Sequence, residues 1–107
     1  MATAEALSAP LDLTEAQALA ELLQALGDPT RLRILSALDM ACVSVGALVQ
    51  ATGLRQPTIS HHLRILRDRG VVRAERRGTY IYYCAVSEAL RPTLNAAHAL
   101  LDARSVR

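Results

Sequence analysis

The residues able to do chemistry in this 107-residue chain are twelve arginines, three histidines, two cysteines and ten carboxylates; there is no lysine. The arginines are not spread evenly. Residues 55–77 hold seven of them (Arg55, Arg64, Arg67, Arg69, Arg73, Arg76 and Arg77) against Asp68 and Glu75. Residues 1–30 hold five acids and no basic residue, so a net charge of only +2 conceals a basic middle beside an acidic end. Such an asymmetry reads either as a surface for a polyanion or as a solvated face of ordinary charges, and charge alone does not choose between them. Guanidinium groups suit a polyanion, because they bind phosphate or guanine through two parallel hydrogen bonds. Cys42 and Cys84 are too few for a disulfide scaffold and are expected as thiols in a reducing compartment. His98 and Asp102 lie one helical turn apart, the spacing of two ligands on one face. His61 and His62 are adjacent and fall on different faces of any helix, and no nucleophile–base pair has a credible spacing. The chain is therefore not expected to be an enzyme.

One domain of this length can build a core without disulfides, and a chain 51% apolar has enough material for it. No apolar run approaches the ~20 residues of a membrane span, and residues 1–10 lack the positive start of a secretory signal, so a cytoplasmic protein is expected. Residues 1–11 read as a flexible tail and residues 12–107 as the folded domain. Thr14 can cap a first helix whose leucines 19, 22, 23 and 26 recur at helical spacing. Asp28-Pro29 opens a second helix, with Leu32, Ile34, Leu35 and Leu38 as its apolar face. Cys42-Val43-Ser44 reads as a brief strand and Val45 to Ala51 as a two-turn helix. After the Thr52-Gly53-Leu54 turn, Gln56 to Arg69 forms a longer helix opened by Pro57. It turns Ile59, Leu63 and Leu66 one way and Ser60, Arg64 and Arg67 another. Two strands follow, Val71 to Glu75 and Thr79 to Val86, with Arg76-Arg77-Gly78 as the turn. Ser87 can cap a last helix striped by Leu90, Leu94, Ala97 and Leu101.

A short helix, a glycine turn and a polar-faced second helix make a helix-turn-helix, and the arginine-bearing hairpin after it is a wing. The expected fold is mainly α with a small β-hairpin wing, a winged helix-turn-helix. Several segments resemble the ArsR/SmtB family of bacterial winged-helix repressors. They are Leu26 to Leu35 (LGDPTRLRIL), Ser44 to Leu48 (SVGAL), Gln56 to Leu63 (QPTISHHL), Gly70-Val71-Val72 and Gly78 to Tyr83 (GTYIYY). The resemblance spans about residues 15–104. It implies a homodimer built from the terminal helices, bound to an inverted-repeat operator on double-stranded DNA and released by an inducer. Within that frame Gln56, Thr58, Ser60, His61 and Arg64 are the candidate reading residues, and Arg76, Arg77 and Tyr80 those of the wing. His62 falls beside Ile59 and Leu66 and reads as a packed structural histidine. Arg31 and Arg33 read as ties between helices, and Arg67 and Arg69 as solvated or paired with Asp68 and Glu75. Arg55 stands where the family usually places a small cap, so that cap is lost.

Many members of that family sense metals, and the resemblance locates their ligands. The soft-metal positions are here Ser44 and Gly46, and the zinc positions Ser87, Ala89, Leu100 and Ala103; none is a suitable ligand set. His98 with Asp102 is a weak alternative metal pair. In a winged helix the strands carrying Cys42 and Cys84 pair, so these two form either a thiol switch, a site for a thiophilic metal(loid) ion acting as inducer, or simply two small buried hydrophobes. No cofactor is required. The competing readings are a protein-interaction module on the same fold and a repressor that answers to no ligand.

Overall fold

A computed structural model describes residues 7, 9–38 and 41–105. The element order is α1 (Leu13–Leu26), α2 (Pro29–Ala37), β1 (Val43–Ser44), α3 (Val45–Thr52), α4 (Gln56–Asp68), β2 (Val72–Arg77), β3 (Tyr80–Ala85) and α5 (Leu90–Ser105). The flexible tail expected for residues 1–11 falls largely outside the described residues.

Local chemistry sets the boundaries. Helix α1 is capped by Asp12, two residues before the expected Thr14. The Asp12 carboxylate accepts from the Glu15 backbone N–H at 2.8 Å, and the Glu15 carboxylate accepts from the Asp12 N–H at 3.3 Å. This reciprocal box satisfies two free donors, where Thr14 alone would satisfy one. Asp28 caps α2 as expected, accepting from the Arg31 N–H, with Pro29 in the first turn. Ser44 caps α3 through a bond from the Ala47 N–H at 3.1 Å. Gly53 ends α3 at φ 71°, a left-handed conformation that favours glycine. Arg55 precedes α4 with extended backbone and no side-chain cap bond, so the missing cap is real.

The hairpin turn starts two residues later than expected and ends one later. Arg77 pairs with Tyr80 and leaves Gly78-Thr79 as a two-residue loop, with Gly78 at φ 64°. The arginines are strand residues, because a two-residue hairpin loop needs the positive φ at its first position and only the glycine supplies it cheaply. The sheet order is β1-β3-β2, antiparallel throughout, with Val43 opposite Tyr83 and Ala74 opposite Tyr83 on the other side. The first strand is shorter than expected: it comprises Val43 and Ser44, with Cys42 just before it.

The core lies where α2, α3, α4 and the root of β2 meet. Ile34, Leu35, Leu48, Ile59, Leu63, Leu66 and Val72 have lost contact with solvent. Each contributes roughly 1.5–3 kcal/mol of burial. Two arginines tie the helices together as expected. Arg31 Nε donates to the Ala25 carbonyl at 2.6 Å, bracing α2 on α1, and Arg33 donates to the Thr52 carbonyl at 2.7 Å, bracing α2 on the end of α3. A third tie was not legible in the sequence: Arg91 donates to the Ser36 and Leu38 carbonyls, fastening α5 to the end of α2.

The terminal helices remain open. Helix α1 buries only Ala25 and Leu26, and α5 buries no residue. Leu19, Leu22 and Leu23 on α1 and Leu100 and Leu101 on α5 are exposed, the last two by 67% and 53%. The radius of gyration is 15.3 Å, against about 13 Å for a compact domain of this length.

Candidate nucleic-acid interface

Helix α4 is amphipathic by construction. Its apolar residues Ile59, Leu63 and Leu66 are buried, and the 3.6-residue period carries Ser60, His61, Arg64 and Arg67 into solvent. Gln56 is exposed at the start of the helix; Thr58 is half-buried at its edge. Among the described residues no acid pairs with Arg64, and its guanidinium stays available. An open cleft between the start of α4 and the wing brings Gln56 together with Ser44, Gly46, Thr79 and Tyr80. The sheet register therefore places one wing candidate, Tyr80, next to one reading-helix candidate.

The two wing arginines are not equivalent. Alternation along β2 sends Arg76 to one face and Arg77 to the other. Arg77 Nε donates to the Glu75 carboxylate at 2.8 Å, and its guanidinium lies 4.6 Å from the centre of the Tyr82 ring. Arg73 approaches the same carboxylate at 3.6 Å. The hydrogen bond from Arg77, with its charge, holds the Glu75 carboxyl below the usual carboxylate range. Glu75 is thus occupied within its own strand and does not reach Arg67 or Arg69. Arg76 has no such partner among the described residues.

His62 occupies the seam between α4 and α2. Its Nδ1 lies 3.4 Å from Arg31 Nη1 and 4.0 Å from the Asp28 carboxylate, and its side chain is 16% exposed. Burial pushes its pKa below the ordinary value, and the Arg31 and His61 charges act the same way against the opposing pull of Asp28. The Arg31 backbone N–H that Asp28 caps likewise lowers the Asp28 carboxyl. This histidine is structural, while His61, exposed, meets it edge to face at 5.2 Å.

Cys42 and Cys84, expected as thiols, form a disulfide with Cα atoms 4.3 Å apart. The pairing follows from register. Val43 opposes Tyr83, so one step outward places residue 42 opposite 84. The Glu75 carboxylate lies on the same sheet face, and one of its oxygens and both sulfurs fall within 4.8 Å of one another. Sequence reasoning missed Glu75 as a neighbour of the cysteines. Only the hairpin register, fixed by Gly78, brings positions 75 and 84 to one face. At the two places where the family resemblance would put a metal, the side chains are committed elsewhere or absent. Ser44 caps α3, Gly46 has no side chain, and the Ser87 hydroxyl accepts from the Ala89 N–H. His98 Nδ1 sits 3.5 Å from the Asp102 carboxylate on the surface of α5, with both side chains more than 70% exposed.

A buried-backed helix with a free polar face, preceded by a capped short helix and followed by an arginine-bearing hairpin, defines a winged helix-turn-helix. Residues 28–74 match the family model described as bacterial regulatory protein, arsR family. The chain is 45% identical over 76 residues to the HTH-type transcriptional regulator NmtR of Mycobacterium tuberculosis, a match covering 71% of this chain and 63% of that protein. Among solved structures it is similar to the transcriptional repressor BigR from Xylella fastidiosa, with a TM-score of 0.74 and 33% identity over 81% of this chain and 89% of that one. It is also similar to the homodimeric winged helix-turn-helix DNA-binding domain of Mb0332 from Mycobacterium bovis, with a TM-score of 0.73 and 30% identity over 90% of this chain and 91% of that fragment. The chain belongs to the arsR family of bacterial regulatory proteins.

Proposed function

We infer that this protein is a sequence-specific, DNA-binding transcriptional repressor that works in the cytoplasm as a homodimer on an inverted-repeat operator. The observation that carries the reading is the α4 surface: an apolar face locked into the core and a polar face, Gln56, Ser60, His61 and Arg64, left free in solvent beside the wing. A helix of this kind fits the major groove, where Arg recognises guanine and Gln adenine. Arg76 and Tyr80 extend the contact to the neighbouring backbone, with Arg77 and Thr58 as secondary contributors. The exposed leucines of α1 and α5 supply the dimer face, and the BigR and Mb0332 names support both the repressor and the homodimer reading.

The test is fluorescence anisotropy on a duplex from upstream of the protein's own gene, over a range of salt. Arg64→Ala is expected to weaken binding roughly 5- to 150-fold, the cost of about 1–3 kcal/mol for one lost base contact. Arg76→Ala is expected to lower the salt slope by about one, as one phosphate contact is lost. Neither should change the melting temperature, because neither side chain is buried. Binding unchanged in both variants would remove this face from DNA recognition.

A further inference from the structure

We propose that Cys42, Cys84 and Glu75 form a binding site for a thiophilic divalent cation of the Zn²⁺ or Cd²⁺ type, which the Cys42–Cys84 disulfide closes and its reduction opens. The donor set carries the assignment. Two thiolates and one carboxylate make a mixed soft and hard site suited to these ions. Both sulfurs and a carboxylate oxygen already lie within 4.8 Å of one another, and Cys84 is buried while Cys42 and Glu75 are half-buried. Glu75 and Cys84 stand on paired strands and Cys42 at the edge of the third, so the backbone holds the set with no rearrangement of the fold.

Closure is chemical. In the disulfide neither sulfur can become a thiolate, the form that binds these ions, and the neutral sulfurs are poor donors. Reduction takes two electrons and two protons from a dithiol reductant, which itself becomes a disulfide, and leaves two thiols. A divalent cation then displaces both protons and forms two metal–thiolate bonds. With metal–sulfur bonds of about 2.3 Å, the sulfurs must part to roughly 3.8 Å across a tetrahedral ion. Side chains on directly opposed residues, with Cα atoms 4.3 Å apart, span that separation by rotation about Cα–Cβ. The Glu75 carboxylate adds the third ligand, and water completes the shell. Arg73 and Arg77 hold that carboxylate beside the sulfurs, and the ion must take it from them. The site uses none of the positions at which the family resemblance would place a metal.

The experiment is a Cd²⁺ titration of the full chain, fully reduced and freed of reductant under anaerobic conditions, following the ultraviolet thiolate-to-metal charge-transfer band, with equilibrium dialysis for stoichiometry. The expected result is one Cd²⁺ per chain with the intensity of two thiolates, and no band in the oxidised protein. Cys42→Ser and Cys84→Ser should each lower affinity at least 100-fold. Glu75→Gln should lower it about tenfold or more while keeping the two-thiolate band, and His98→Ala should leave it unchanged. Alkylating both thiols of the folded wild type should abolish binding, which keeps the test valid if a serine variant does not fold. Reduced wild type that binds no Cd²⁺, binding that survives oxidation or alkylation, or a Glu75→Gln protein with wild-type affinity would overturn the site. The readout uses no DNA, so its failure is distinct from a failure of the repressor reading.

Discussion

His62 shows how one side chain can be chemically able and structurally spent. Its ring closes the seam between α4 and α2 against Arg31 and Asp28, while its neighbour His61 stays in solvent. Burial lowers its pKa, so the unfolded chain takes up a proton before the native one does as pH falls. The stabilisation from a neutral His62 is complete above its ordinary value near 6.5 and is lost progressively below it. Asp28 and Glu75, also lowered, add to the loss only on further acidification through the carboxylate range. Urea unfolding at pH 7.5 and pH 5.5 should therefore give a lower midpoint at the acidic value, with a smaller difference in His62→Gln. An equal difference in both proteins would show that His62 is not the titrating group. Its inward position was legible in the sequence, since it falls beside Ile59 and Leu66; its partners on α2 were not, because they are 31 and 34 residues distant.

At the scale of elements, the reading helix carries its own weakness. Arg55 already has the extended backbone of a cap, φ −73° and ψ 146°, but its side chain accepts nothing from the first turn of α4. Arg55→Ser needs no backbone change and should stabilise the protein by about 0.5–2 kcal/mol, read as a higher urea midpoint. The same substitution removes a cation at the start of α4 and should lower the salt slope of DNA binding. A stabilised variant with an unaltered slope would mean that Arg55 faces away from the phosphates. Periodicity and caps made α2, α4 and the hairpin legible. The errors fell where two signals compete. A capping box at Asp12 and Glu15 outweighed the single hydroxyl of Thr14, and the glycine's positive φ drew the turn to Gly78-Thr79 and Arg77 into the strand. That shift makes Arg76 rather than Arg77 the freer wing cation, and it aligns Glu75 with the cysteines.

The whole molecule is elongated because its two ends are unfinished. Arg91 anchors α5 to α2 and Leu90 and Leu94 pack half-buried against the core, yet no residue of α5 is fully buried, and α1 keeps four leucines (Leu13, Leu19, Leu22 and Leu23) exposed. The leucine stripes were plain in the sequence, but only the structure shows that the core takes up Leu26, Leu90 and Leu94 and leaves Leu19, Leu22, Leu23 and Leu101 exposed. A second copy covering these faces gives a two-fold dimer, and a two-fold dimer reads two half-sites one helical turn apart. Selection of bound duplexes from a randomised DNA pool tests this most directly, since it presupposes no operator sequence. The expected outcome is enrichment of an inverted repeat with half-sites centred about 10–10.5 base pairs or a multiple apart, lost when Arg64→Ala is used instead. A pool that remains random, or one enriched equally by the wild type and Arg64→Ala, would contradict a dimeric repressor that reads DNA through α4.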